Sequence, residues 1–402
     1  GGLYREIVDH LRSLDQRPPS YKPFFNGQLF KPHFSEELII GDEWLANFID
    51  DLTDDDTGYN FADIPVEILG ASYEHFLGKV LRPQGRGVTI DEKPEVRKAG
   101  GVYYTPRYIV DYIVEQTVGR LLDGKTPRDV AKLRFLDPAC GSGSFLIRVY
   151  ERVIEHYLRH FTAQLADARQ GLENKPDESQ AAVAKTLTRL KADCYLDAAN
   201  NVRLTTRLKR RILQENIYGV DIDAQAVEVT QLSLYLKMLE GENRETLRAQ
   251  SGDLFDKEAL LPPLDKNILC GNSLIASDFS LDPAELVRVN AFDWDIGFEK
   301  IMASGGFDAV VGNPPYVFGE WMDTTLKRYV KEKFLTARGQ SDLYQLFFEQ
   351  ALRLTKSGGI HGYIVPDAVL ARDDTAGLRL TLLEKLLNVA VTTAGTTLPI
   401  VG

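Results

Sequence analysis

The chain has 402 residues, enough for a large α/β domain plus a helical piece, and 44% of them are apolar, as in an ordinary globular protein. A formal net charge of −11 excludes a nucleic-acid binder that works through an overall basic surface, and leaves only local positive charge for such a role. There is no apolar run of about 18 residues for a membrane span, and Cys140, Cys194 and Cys270 lack CxxC or metal-ligand spacing, which implies a reducing compartment.

The start, Gly1-Gly2-Leu3-Tyr4, carries neither an initiator Met nor a signal peptide, and the natural protein is expected to be longer. Residues 1 to about 82 read as helical segments. In 61–81 the residues Ile64, Ile68, Leu69, Tyr73, Phe76, Leu77 and Val80 recur at helical spacing. The Gly-, Pro- and charge-rich stretch 83–100 reads as a mobile loop or hinge. Thr105 is expected to cap the next helix, with Pro106 as its first residue.

From about residue 130 strands and helices alternate. The strand candidates are 133–137, 216–221, 267–271, 307–312 and 360–366, with a weaker one at 388–393; helices are expected at 144–168, 224–240 and 341–356. This alternation predicts an α/β fold with a mostly parallel sheet covered on both faces. Residues 148–215 read as a long, charged, helical insertion between the first two strands. Within it Arg203, Arg207, Lys209, Arg210 and Arg211 form a basic cluster, either a solvated helix face or a local patch for an anionic partner.

Two stretches carry chemistry. FLDPACGSGSF (135–145) follows a strand and opens a helix. Gly141 and Gly143 allow a tight turn and close approach of a ligand, and the helix start offers free N–H groups. Asp137, Asp221 and Asp223 stand at strand tips, where open parallel sheets bind ligands. Cys140 has no histidine near it in sequence and reads as a small residue in a turn. The second stretch is GNPPY (312–316), at the end of the apolar strand candidate 307–312. Pro314 and Pro315 can neither extend a ladder nor continue into a helix, so the strand stops there and displays Asn313 and Tyr316.

The order GVYYTP, DPACGSGSF, GVDID, GNSLI, GNPPY resembles the N6-adenine DNA methyltransferases whose cofactor motifs precede the catalytic one. The resemblance covers about residues 20–370. The stretches PFFNGQLF (23–30) and EILGASYEHFLG (67–78) are similar to the helical connector of type IIG restriction-modification enzymes and BREX phage-defence methyltransferases. It implies a Rossmann-like class I methyltransferase sheet using S-adenosyl-L-methionine, with a connector over 1–100 and the methyltransferase domain over 101–402. It implies no metal.

By the same resemblance Tyr104, Thr105 and Pro106 approach the methionine end of the cofactor. Asp137, Pro138, Ala139, Gly141 and Gly143 line its methionine and sugar part. Asp221 takes the ribose hydroxyls and Ile222 packs on the adenine ring. Asn272, or Asp253 instead, reads the adenine amine. Asn313, Pro314, Pro315 and Tyr316 act on an adenine flipped out of double-stranded DNA. A target-recognition domain and a nuclease or specificity partner are expected outside this chain. Rival readings are an RNA or protein-glutamine methyltransferase and a cofactor-binding module without catalysis; a nicotinamide dehydrogenase would leave GNPPY and GVYYTP unexplained.

Overall fold

The computed structural model describes residues 3–7, 9, 40–53, 68, 70, 72, 79–84, 87–92, 105–170, 176–242, 246, 261–316, 324–337, 342–385 and 389. Its centre is a five-stranded sheet of β3 (Phe135–Asp137), β6 (Ile217–Asp221), β7 (Ile268–Cys270), β8 (Phe307–Gly312) and β9 (Thr355–Tyr363), in the order β7-β6-β3-β8-β9. Every pairing in it is parallel. The chain therefore starts in the middle, builds outward to β7, then returns to the other side of β3 and builds outward again. The switch point falls between β3 and β8.

Side chains alternate across each strand, and both faces are apolar. Phe135, Ile217, Ala309 and Val311 face one core together with α3 (Ser144–Arg169), α5 (Thr206–Asn216) and α6 (Ala224–Leu239). Leu136, Tyr218, Val220 and Val310 face the other, against Trp294, Phe298, Ile301 and α8 (Leu343–Leu354). Burial of this kind on both sides is what a parallel sheet with crossover helices requires.

The expected stretch 307–312 is the observed β8, and β3, β6 and β7 lie within their expected spans. Strand β9 begins earlier than expected, because Lys356-Ser357-Gly358-Gly359 is not a turn that precedes it. The four residues bulge within it, between Phe307↔Thr355 and Ala309↔Ile360, with Gly358 at φ 79°. The weak candidate 388–393 falls almost wholly outside the described residues.

Three other expectations are corrected. Residues 79–84 and 87–92 form an antiparallel hairpin, β1 and β2, so the helix expected over 61–81 does not include Lys79, Val80 and Leu81, and part of the expected hinge is regular structure. Val80, Leu81, Val88 and Ile90 favour strands, and the Gly-Arg pair between is a sequence suited to a tight hairpin turn. The insertion is not purely helical either. Between α4 (Pro176–Leu190) and α5 it carries a second hairpin, β4 (Cys194–Leu196) with β5 (Val202–Leu204). Tyr150, Tyr157, Phe161, Leu204, Leu208 and Ile212 bury it in the main core.

Third, Thr105 does not cap. The helix α2 runs Arg107–Val114, its N-cap position is Pro106 in an extended conformation, and no side chain caps it. The basic cluster is largely ion-paired: Arg203 with Asp197, Lys209 with Glu242 and Arg211 with Asp193. No helix among the described residues is long and apolar enough to cross a membrane.

Candidate active site at the sheet switch point

The tips of β3, β6, β7 and β8 point the same way, because the strands are parallel. Asp137 ends β3, Asp221 ends β6, Cys270 ends β7 and Gly312 ends β8. The loop after β3 turns through Gly141 (φ 53°) and Gly143 (φ 89°), and Gly143 is the N-cap of α3. Both values lie in the left-handed region that glycine alone enters without strain.

Several side chains fix this loop. Gly141 N donates to Asp221 Oδ2 at 2.8 Å, Thr230 Oγ1 donates to Gly141 O at 2.7 Å, and Ser273 Oγ donates to Pro138 O at 2.5 Å. Ala139 N donates to Asp137 Oδ1 at 3.0 Å. Nothing in the local sequence marks Thr230, and GNSLI does not by itself single out Ser273, because each acts across the sheet on a loop far away in the chain. A Cβ at Gly70, in the N-terminal segment, would lie 2.9 Å from Ser142 Oγ, so that segment touches the same loop.

Asp137 is buried, and burial, ahead of any other influence, pushes its carboxyl up to about 8. Backbone approach is equally close: a Cβ on Gly312 would sit 2.7 Å from Asp137 Oδ1. Burial also pushes Asp221 up, against the bonds it accepts from Gly141 and Asp223. Asp223 is the N-cap of α6 and accepts from Gln225 N at 2.9 Å. Ile222 between them is 58% exposed, a large apolar side chain left uncovered at a strand tip.

Cys140 is buried, and its thiol is pushed well above its ordinary value by burial. It is a small residue packed under the turn, since a Cβ on Gly219 would lie 3.1 Å from its sulfur. It has the reverse of an activated nucleophile's surroundings.

Beyond β8, Asn313 Nδ2 donates to Thr105 Oγ1 at 2.9 Å. Tyr316 reaches back: its phenol donates to Asn313 Oδ1 at 2.6 Å and lies 2.9 Å from Ile364 O, with one O–H between the two acceptors. Its ring meets Tyr344 edge-on at 6.2 Å. Burial holds the phenol above its ordinary value and so neutral. Pro314 is buried and Pro315 half-buried beside it.

The expected residues Thr105, Pro106, Asp137, Pro138, Ala139, Gly141, Gly143, Asp221, Ile222, Asn313, Pro314, Pro315 and Tyr316 thus lie on the loops at this end of the sheet and in the chain leading to α2. Tyr104 and Asp253 lie outside the described residues. Asn272 follows β7, but its amide is engaged with backbone: Oδ1 accepts from Leu274 N at 3.1 Å and Nδ2 donates to Val289 O at 3.2 Å.

Residues 215–393 match the family described as Eco57I restriction-modification methylase. The matched span runs from the end of α5 through β6, β7, β8 and β9, and so holds the GVDID, GNSLI and GNPPY stretches.

Over 389 residues the chain is 28% identical to the type II restriction enzyme and methyltransferase RM.Eco57I of Escherichia coli, covering 95% of this chain and 34% of that protein. It is 22% identical over 416 residues to the adenine-specific methyltransferase BrxX of Escherichia coli O9:H4 (strain HS), covering 87% of this chain and 32% of that one. It is 23% identical over 294 residues to the adenine-specific methyltransferase PglX of Streptomyces coelicolor, covering 70% and 20%. The chain therefore spans from a fifth to about a third of the length of these curated relatives.

Proposed function

We propose that this chain transfers a methyl group from S-adenosyl-L-methionine to the N6 amine of an adenine flipped out of duplex DNA. It would do so as the modification part of a restriction-modification or phage-defence system. The observation that carries the reading is the meeting at one switch point of a cofactor-type loop, Asp137 to Gly143, and Asn313-Pro314 at the end of β8.

The residues fit the cofactor by their own chemistry. Asp137 is a buried carboxylate suited to an ammonium group, which would relieve the burial that now holds it neutral. Asp221 retains lone pairs for hydroxyl donors beyond those used by Gly141 and Asp223. Ile222 offers an apolar face to a flat ring. Bound, the cofactor supplies an electrophilic sulfonium methyl.

The rest belongs to the protein. An exocyclic adenine amine is a poor nucleophile, because its lone pair is delocalised into the ring. Asn313 Oδ1 and the Pro314 carbonyl can draw its two hydrogens and favour a tetrahedral nitrogen with an available lone pair. Thr105 holds the Asn313 amide with the oxygen on the side away from its own hydroxyl. Tyr316 covers that oxygen until a base arrives, then its ring is free to stack on the base. The work is positioning and electrostatics, with no covalent enzyme intermediate.

The test is incubation with cofactor and unmethylated duplex DNA, followed by nucleoside mass spectrometry. N6-methyladenine that disappears with Asn313→Ala is the expected outcome. Methyl groups found in RNA or on a peptide glutamine, with none in DNA, would overturn the proposal.

A further inference from the structure

The tip of β7 presents a gap in the cofactor reading. Asn272, which by the motif order should meet the adenine amine, has its amide engaged with Leu274 N and Val289 O. Its oxygen faces the turn it stabilises. A neighbouring residue from another loop stands beside Ile222 with an oxygen to spare.

That residue is Asn290. Its Nδ2 donates to Ile222 O at 3.0 Å and lies 3.3 Å from Cys270 Sγ, so one amide ties the tips of β6 and β7 together. Its backbone is held on both sides: its N–H donates to Val287 O at 3.1 Å, and its carbonyl accepts from Asn272 N at 2.6 Å. Its φ of 51° is left-handed, a conformation that asparagine tolerates better than most residues. Among the described residues no donor reaches its Oδ1.

We infer that Asn290 is the specificity-determining residue for the cofactor's adenine, its Oδ1 accepting from the exocyclic amine of a ring lying against Ile222. The inference rests on the proposed cofactor use. With Nδ2 anchored on Ile222 O, the amide cannot rotate freely, so the acceptor is fixed relative to the apolar face that would carry the ring. Neither composition nor motif order points to Asn290. It enters the site only because the loop 289–291 folds back onto Asn272, two residues after β7, where Asn272 and Ala291 form an isolated bridge.

The test is calorimetric binding of S-adenosylhomocysteine and of its analogue lacking the 6-amino group, to wild type and three variants. Wild type should prefer the amine-bearing ligand by about five- to tenfold, the worth of one neutral hydrogen bond. Asn290→Gly suits the positive φ and removes the amide; it should bind both ligands equally. Asn290→Asp keeps an oxygen acceptor but loses the Nδ2 anchor on Ile222 O, so it should keep only part of the preference, whereas Asn272→Ala should keep it in full. Preference retained in Asn290→Gly, or abolished by Asn272→Ala alone, would overturn the assignment. Equal binding of both ligands by wild type would overturn it while leaving cofactor use intact. Binding of neither by wild type would overturn cofactor use itself, and the assignment with it.

Discussion

Thr105 Oγ1 accepts a hydrogen bond from Asn313 Nδ2 at 2.9 Å, across 208 positions of sequence. The contact ties the chain entering α2 to the tip of β8 and fixes which way the Asn313 amide points. Thr105 is therefore a positioning residue for the amide, whatever it also does for the cofactor. Thr105→Val keeps the shape and removes the acceptor. It should lower the methyl-transfer rate by about tenfold to a hundredfold, while S-adenosylhomocysteine affinity stays within about threefold. Thr105→Ser should restore the rate. A variant that loses affinity and rate together would mean that Thr105 serves the cofactor instead.

Tyr316 separates two roles. Its hydroxyl holds Asn313 Oδ1, and its ring is the proposed stacking face. Tyr316→Phe loses only the first role and should transfer methyl groups at a rate within about threefold of wild type. Tyr316→Ala loses the face as well. Stacking on an aromatic is worth about 1–3 kcal/mol per base, so this variant should fall by roughly fivefold to a hundredfold. Equal losses in both variants, read from single-turnover rates, would contradict the stacking role.

The buried acid at the tip of β3 gives a pH dependence with a definite sign. Burial pushes Asp137 up to about 8; the groups around it, Asp221, Cys140 and Tyr363, are all pushed up by burial as well. Below about 8 the free protein holds Asp137 protonated, and a ligand ammonium beside it favours the charged form, so binding releases a proton. S-adenosylhomocysteine should therefore bind more tightly as pH rises from 6 to 8, by at most about tenfold per unit, and level off above that. Asp137→Asn should flatten the profile. The same linkage acts on the unliganded protein: the stability contributed by this group is complete below its unfolded value near 3.9 and is lost as pH rises through about 8. Calorimetry of both proteins across the range checks both halves, and affinity that weakens with rising pH would contradict the arrangement.

Gly143 tests the loop itself. Its φ is 89°, and an added Cβ would lie 2.9 Å from the Thr230 side chain. Gly143→Ala should cost about 1–3 kcal/mol in denaturant unfolding and loosen cofactor binding. Gly377→Ala lies in a helix with open space around it and serves as control. Unchanged stability in Gly143→Ala would mean that the turn is not constrained as described.

The sheet was legible in the sequence where burial is complete. Phe307–Gly312 is buried throughout, and its apolar run Ala309–Val311 is followed closely by Pro314 and Pro315, so both the strand and its stop could be read. The hairpin of β4 and β5 has three residues per strand, too few for a period to emerge. Asn313 and Asp137 could be found because their neighbours in sequence are unusual. Thr105 could be found too, but as a cap and, by resemblance, as a cofactor contact, since its bond to Asn313 is tertiary and leaves no local trace. Asn290 and Thr230 could not, because each acts on a loop from another part of the chain.

The most direct measurement is transfer of labelled methyl from S-adenosyl-L-methionine to duplex DNA by wild type and Asn313→Ala, each shown by calorimetry to bind S-adenosylhomocysteine equally. The variant should lose about a hundredfold or more in rate at unchanged affinity. Transfer by Asn313→Ala at the wild-type rate would contradict it.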